Sequence, residues 1–260
     1  MRVSVKVPFA MACALPWVCA LALANESPKR CETMVYSANP HYAPYHVQTG
    51  AHRLEGASVD LLAKLVPEGV KLKPVVYPWK RVLVMAEHGE IDLVLSLRKT
   101  AERETYLAFT AVPSFPNPIA VFVRTANKFP YQTWADLKHK RGAISLGDRL
   151  GGGFDEYWPK ELEILERGTV DENFRRLEGG HIDYFITSQF AGVASLRARQ
   201  GGSKITYLKP PITEEGLYFG FSKKSPCAAL LAQFDQRLSA MEKNDGLRTI
   251  LNKHLGEAQH

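Results

Sequence analysis

Cysteine is scarce in this chain, with four in 260 residues, and two of them, Cys13 and Cys19, fall inside one apolar stretch at the N-terminus. No Cys-x-x-Cys or His-Glu-x-x-His occurs, and the eight histidines show no metal-ligand spacing. A metal centre is therefore not expected, and nothing else in the sequence asks for a cofactor. The Gly-x-Ser-x-Gly elbow of serine hydrolases is missing. No Gly-Lys-Ser/Thr follows the glycines at 151–153, so they do not form a Walker loop. Beyond the first 24 residues, no segment approaches the roughly 20 apolar residues of a membrane span. The formal net charge of +6 is modest and spread along the chain, whereas a nucleic-acid binder concentrates its excess on one face. No nucleic-acid partner is expected.

What is present begins with a leader. Residues 1–24, "MRVSVKVPFAMACALPWVCALALA", carry Arg2 and Lys6, then an apolar run, then a small-x-small site at Ala22–Ala24, which is the layout of a cleaved secretory signal peptide. A membrane anchor is the alternative, but the apolar part is short for one. Cleavage removes two cations, which lowers the net charge to +4, and leaves two cysteines, Cys31 and Cys227. In an oxidising compartment these are expected to form a disulfide, with two buried thiols as the alternative. A disulfide would tie the two ends of the mature chain into one unit.

Short apolar runs alternate with amphipathic segments. "TMVYSA" reads as a strand, and "SVDLLAKLV" as a helix capped by Ser58. "VKLKPVVY" reads as an edge strand, "WKRVLVMAEHGE" as a helix stopped by Gly89, and "IDLVLSL" as a buried strand. The order repeats from residue 132: "TWADLKHKRG" (helix), "AISLG" (strand), "GFDEYWPKEL" and "TVDENFRRLEGG" (helices), "HIDYFIT" (strand), "SQFAGVASLRARQGG" (helix), "KITYL" (strand). The fold class is α/β with two lobes, each a sheet flanked by helices. "EHGEIDLVLSL" and "LEGGHIDYFITS" echo one another across the two. "AVFVR" leads out of the first lobe and "GLYFGFS" leads back, followed by two helices. The expected limits are residues 1–24 for the signal peptide, 25–123 for lobe 1, 124–216 for lobe 2, and 217–260 for the return strand and helices packing on lobe 1. The crossings near Val121–Arg124 and Leu217–Phe221 would be hinges, and the cleft between lobes would be the ligand site.

Four stretches, "ANPHYAPYHVQTGAHRLEGASVDLL", "YPWKRVLVMAEHGEIDLVLS", "TAERETYLAFT" and "EGGHIDYFIT", together resemble the bacterial extracellular solute-binding proteins of the polar-amino-acid type. Their order and spacing carry the resemblance over about residues 31–256. It implies the two-lobe periplasmic-binding-protein fold and a periplasmic location. It also implies a monomer that presents a bound anionic or zwitterionic small molecule to the membrane permease of an ABC importer.

The resemblance also implies site residues. Arg103, in Thr-x-x-Arg, would fork onto the ligand carboxylate with Thr100 and Ser96 assisting, since a guanidinium matches a carboxylate in geometry and charge. A surface ion pair with Glu102 or Glu104 is the alternative. Tyr42 and Trp79 would wall the site, and Tyr45 would pack in the core. Arg98 stands where a Ser or Thr is usual and would add a second cation. Ser188 stands where an ammonium-binding Asp is usual, which turns the ligand toward a dicarboxylate or another organic acid unless Asp155 or Glu156 takes that place. Gly152 sits in a loop whose amides would face an anion. His41, His46 and His52 read as surface residues. No residue is singled out as catalytic. A periplasmic dehydratase of the cyclohexadienyl or prephenate type, with Glu215 or Asp155 as general acid, and a periplasmic sensor module are the alternatives.

Overall fold

A computed structural model of the chain describes residues 1–4, 30–199 and 204–257. Most of the expected leader lies outside them. Among the described residues, fourteen strands and eight α-helices follow in the order β1 Thr33–Ser37, β2 His41–Tyr42, β3 His46–Gly50, β4 Arg53–Glu55, α1 Ala57–Leu65, β5 Lys71–Pro74, α2 Trp79–His88, β6 Leu93–Leu97, α3 Ala101–Glu104, β7 Leu107–Phe109, β8 Phe115–Pro116, β9 Ile119–Arg124, β10 Arg141–Ile144, α4 Phe154–Glu161, β11 Glu163–Glu166, α5 Val170–Glu178, β12 Tyr184–Ser188, α6 Gln189–Ala198, β13 Ile205–Tyr207, β14 Gly216–Ser222, α7 Leu231–Lys243 and α8 Gly246–Glu257.

The first sheet runs β5-β1-β6-β14-β7, with β8 also on β14, and the second runs β11-β10-β12-β9-β13. In each, the first three strands are parallel and the last two antiparallel to their neighbours. All five residues of β6 are buried, as an apolar run between two helix layers requires. β9 is buried on both faces: Ile119, Val121 and Val123 join one core cluster, Ala120 and Phe122 another.

This placement moves the expected lobe boundary. β9 belongs wholly to the second sheet, paired with β12 and β13, so lobe 2 begins near Ile119 rather than residue 124. The chain crosses between lobes beside Phe115–Ile119 and Thr213–Leu217. There the two crossings hydrogen-bond to each other, Gly216 opposite Pro116 and Thr213 opposite Ile119. A hinge between the lobes would therefore lie in these segments. Val121–Arg124 and most of Leu217–Phe221 are held inside sheets and cannot flex independently.

Other local expectations shift for identifiable reasons. Ser58 is not the cap of α1. Gly56 is, at φ 127°, because a Cβ there would come within 2.6 Å of the Tyr45 carbonyl oxygen. "TWADLKHKRG" forms only a 3-10 turn, Trp134–Leu137, closed by a Thr133–Asp136 capping box. Gly142, expected at its end, already lies in β10. The ribbon β2-β3-β4 and the edge strand β11 carry too little apolar periodicity to be seen in sequence. Cys31 and Cys227 are joined by a disulfide across 196 residues. It pins the turn before α7 to the start of β1, and α7 and α8 pack on lobe 1 through Phe234, Leu238 and Ile250. Among the described residues, no helix is long and apolar enough to cross a membrane.

Candidate functional site: the cleft between the lobes

The C-terminal ends of β6 and β12 meet across the cleft, the position where α/β sheets bind ligands. Ser96, the penultimate residue of β6, has a φ of 38°, strained for a residue with a side chain. The Ser96 hydroxyl is part of a buried chain, 2.7 Å from Ser58 Oγ and 2.8 Å from Ser114 Oγ. This chain fixes the turn that sends Arg98 and Arg103 back over the sheet.

Arg103 is 3% exposed. Its guanidinium donates to the main-chain carbonyls of Arg98 (2.9 Å) and Gly147 (3.1 Å), the second across the cleft, and it lies 5.6 Å over the Trp79 ring. It makes no ion pair among the described residues, and burial lowers its pKa from the ordinary arginine value. Thr100 accepts from the Arg103 amide at 3.2 Å and so caps α3, the one turn that carries Arg103. Trp79 Nε1 donates to the same Gly147 carbonyl at 3.2 Å.

Arg98 is equally buried but already has a partner. It donates to Glu215 Oε2 at 3.1 Å and to the Asn117 carbonyl at 3.3 Å. Glu215 also accepts from the Gly152 amide at 2.8 Å, while the Leu150 and Gly151 amides donate to Asp155. The glycine loop therefore spends its amides on the chain's own carboxylates, as does the second cation.

An inner pocket of about 30 Å³ gathers Tyr42, Trp79, Ser96, Arg98, Arg103 and Ser188. Thr100 and Gly152 do not line it. Ser188 caps α6 by accepting from the Ala191 amide at 3.4 Å. Tyr45 is buried in the lobe 1 core, its hydroxyl donating to the Pro116 carbonyl at 2.6 Å. Asn117, from the crossing segment, donates to the Tyr42 hydroxyl at 3.2 Å, and burial pushes that phenol up to about 12.

Two residues of this pocket escape sequence reasoning. His46 is buried, not superficial. Its Nδ1 sits 2.7 Å from the Asn39 carbonyl, its Nε2 has no partner, and burial lowers its pKa to about 4. It is thus neutral at pH 7, with Nδ1 donating and Nε2 left as an open acceptor. Asp148 is the one carboxylate among the pocket's lining residues, and no hydrogen bond to its carboxylate is made among the described residues. Burial raises its pKa to about 7, against the pull of Arg103. The available signal was position: Asp148 stands in the loop leaving β10, a parallel strand whose C-terminal end opens on the cleft. Among the described residues, no group of three or more His, Cys, Asp or Glu side chains is arranged to hold a metal ion.

Comparison with known proteins adds the following. A family model described as "Bacterial extracellular solute-binding proteins, family 3" matches residues 34–257. No curated protein matches the chain. Among solved structures, a histidine kinase sensor domain with similarity to periplasmic binding proteins superposes with a TM-score of 0.73 at 21% identity, covering 87% of this chain and 97% of its own. An amino acid ABC transporter substrate-binding protein from Streptococcus pneumoniae, bound to L-arginine, gives 0.72 at 16% identity, covering 87% and 96%. An ancestral amino acid-binding protein, a precursor of cyclohexadienyl dehydratase, gives 0.70 at 22% identity, covering 86% and 95%. At these identities the likeness establishes the two-lobe fold.

Proposed function

We propose that this chain, which belongs to the bacterial extracellular solute-binding proteins, family 3, binds a small amino acid or related organic acid in the periplasm, with Arg103 holding its carboxylate, for delivery to the permease of an ABC importer. The observation that carries this reading is a buried guanidinium with no carboxylate partner among the described residues. A buried charge satisfied only by carbonyls is costly, and an arriving carboxylate offsets that cost through paired, charge-assisted hydrogen bonds.

Arg98 does not double the positive charge open to a ligand, because Glu215 pairs with it. This weakens the dicarboxylate expectation at the inner pocket. Asp148 faces the same pocket as Arg103, and one cation with one acid is the complement of a zwitterion. Tyr42 and Trp79 form walls, and Ser188 and His46 add polar acceptors. Ser96 and Thr100 act as positioning residues for the arginines. Gly152 belongs to the closing loop. The signal peptide at residues 1–24 fits export, and the paired crossings at 115–119 and 213–217 fit a hinge about which the lobes close.

Arg103→Ala is expected to weaken binding by at least about 100-fold, the scale of removing one partner of a buried charge pair. A thermal-shift screen with amino acids and organic acids measures it: a saturating ligand adds about 2.7 kcal/mol at 100 times its dissociation constant. An unchanged shift in a folded Arg103→Ala protein overturns the site.

A second reading draws on Asp148, an acid that holds its proton near neutrality beside a carboxylate-binding arginine. On the same fold, that arrangement suits a prephenate-type dehydratase. Turnover of prephenate that disappears in Asp148→Asn would replace the binding-only reading.

A further inference from the structure

The inner pocket, at about 30 Å³, leaves room at Arg103 for a head group and none for the body of a ligand. A second cavity, of about 440 Å³, opens beside it and shares Trp79 and Asn39 as walls. Of these two, the outer cavity has the size of a small-molecule site, roughly 300–1,000 Å³. Its lobe 1 side is formed by Tyr77, Trp79 and Lys80, and its lobe 2 side by Ser145, Leu146 and Thr169.

We propose that the outer cavity is a second subsite, which accepts the anionic distal group of a solute whose amino-acid end is held at Arg103; the proposal rests on the reading of Arg103 given above. Three independent features converge there. α2 begins at the cavity wall with no side-chain cap and no acidic residue in its first turn, so its amide end is uncompensated. The ammonium of Lys80, in that first turn, makes no ion pair among the described residues. Ser145, 5% exposed and lining the cavity, has a hydroxyl with no hydrogen-bond partner among the described residues. Amides, an ammonium and a hydroxyl are all donors, so the group they suit is an acceptor with negative charge. The carboxylate of Glu172, on the same wall, is turned back onto the Thr169 amide at 2.8 Å and is engaged in capping α5. Tyr77, Pro78 and Trp79 give the outer cavity an apolar wall for the body of the ligand, and Trp79 is also a wall of the inner pocket.

Three matched probes test this on the full mature protein: phenylalanine, 4-carbamoylphenylalanine and 4-carboxyphenylalanine, each titrated by calorimetry. The last two have nearly the same shape and differ in charge. The carboxy probe is expected to bind at least about 10-fold more tightly than the carbamoyl probe, the scale of one added charge-assisted contact. Lys80→Gln and Ser145→Ala should each bring that ratio toward one, because the loss falls more heavily on the carboxy probe than on the carbamoyl probe. Equal affinities in the unmodified protein overturn the proposal, as does a ratio that survives both substitutions. So does failure of all three probes to bind while smaller amino acids bind. If Arg103→Ala abolishes binding of every probe while the ratio is one, the outer subsite fails and the inner reading stands. If Arg103→Ala changes nothing, the inner reading fails and the subsite built on it falls too.

Discussion

The two lobes lay their main strands in one order, β5-β1-β6-β14-β7 in the first and β11-β10-β12-β9-β13 in the second. In both, the fourth strand arrives from a crossing. The faint sequence echo has the same structural use in each. Asp92 accepts from the Val35 amide at 2.7 Å and Asp183 from the Arg141 amide at 2.9 Å, each locking the third strand of that order to the second. The lobes differ in what they hang on this frame. Lobe 1 supplies the arginines, the aromatic walls and the disulfide. Lobe 2 supplies Asp148, Ser188 and the Gly147 carbonyl that meets Arg103 and Trp79. The frame is thus shared, and the chemistry lies in the loops at the strand ends, where a substitution alters no packing.

The largest way to break this comparison is to cut the tie that only one lobe has. Replacing Cys31 and Cys227 with serine is expected to cost about 3–4 kcal/mol, given the long loop that the bond closes. That corresponds to a fall of roughly 6–15 °C in Tm. Amide exchange should rise in β1, α7 and α8 and stay unchanged in β10–β12; a uniform rise would show that the lobes unfold as one.

The paired aspartates sharpen the comparison at the next scale. Asp92 also accepts from Ser225 Oγ at 2.6 Å and so anchors the return strand, whereas the further contacts of Asp183 are to the exposed Arg141 side chain. Asp92→Ala should therefore cost about 3 kcal/mol and Asp183→Ala about 1.5, measured by urea unfolding. Equal losses would mean that the second anchor contributes nothing. Hydrogen bonds from Arg141 hold the Asp183 carboxyl below its ordinary pKa. Its contribution is thus present above the unfolded value and lost as pH falls through the folded one.

Asp148 behaves in the opposite sense. Burial raises its folded pKa from 3.8 to about 7, so the folded state holds an extra proton between those values. Stability relative to Asp148→Asn should therefore be highest below the unfolded pKa, fall as pH rises to about 7, and level off above it. An ammonium-bearing ligand prefers the ionised carboxylate, so its affinity should rise over the same window and flatten in Asp148→Asn. Tm and calorimetry across pH 5–8 measure both, and an affinity that falls with pH would remove Asp148 from the ammonium site.

Periodicity and breakers made much of the fold readable. Gly89 ends α2, Thr169 and Glu172 cap α5, and the buried runs of β6 and β12 follow their residues directly, because these are local constraints on backbone and burial. Short elements such as β2, β4 and β11 were not legible, since they hold shape through their partners. The lobe of β9 was not legible either, because an apolar run fits whichever sheet it reaches first. The same division holds for the site. The family resemblance pointed to Arg103, Tyr42 and Trp79, and Cys31 and Cys227 were the two cysteines outside the expected leader. Tertiary structure decided that Glu215 takes up the charge of Arg98, that Ser96 serves a buried hydroxyl chain, and that Asp148 and His46 line the inner pocket. Those outcomes depend on which side chains meet across more than a hundred residues of chain, and no local propensity carries that information.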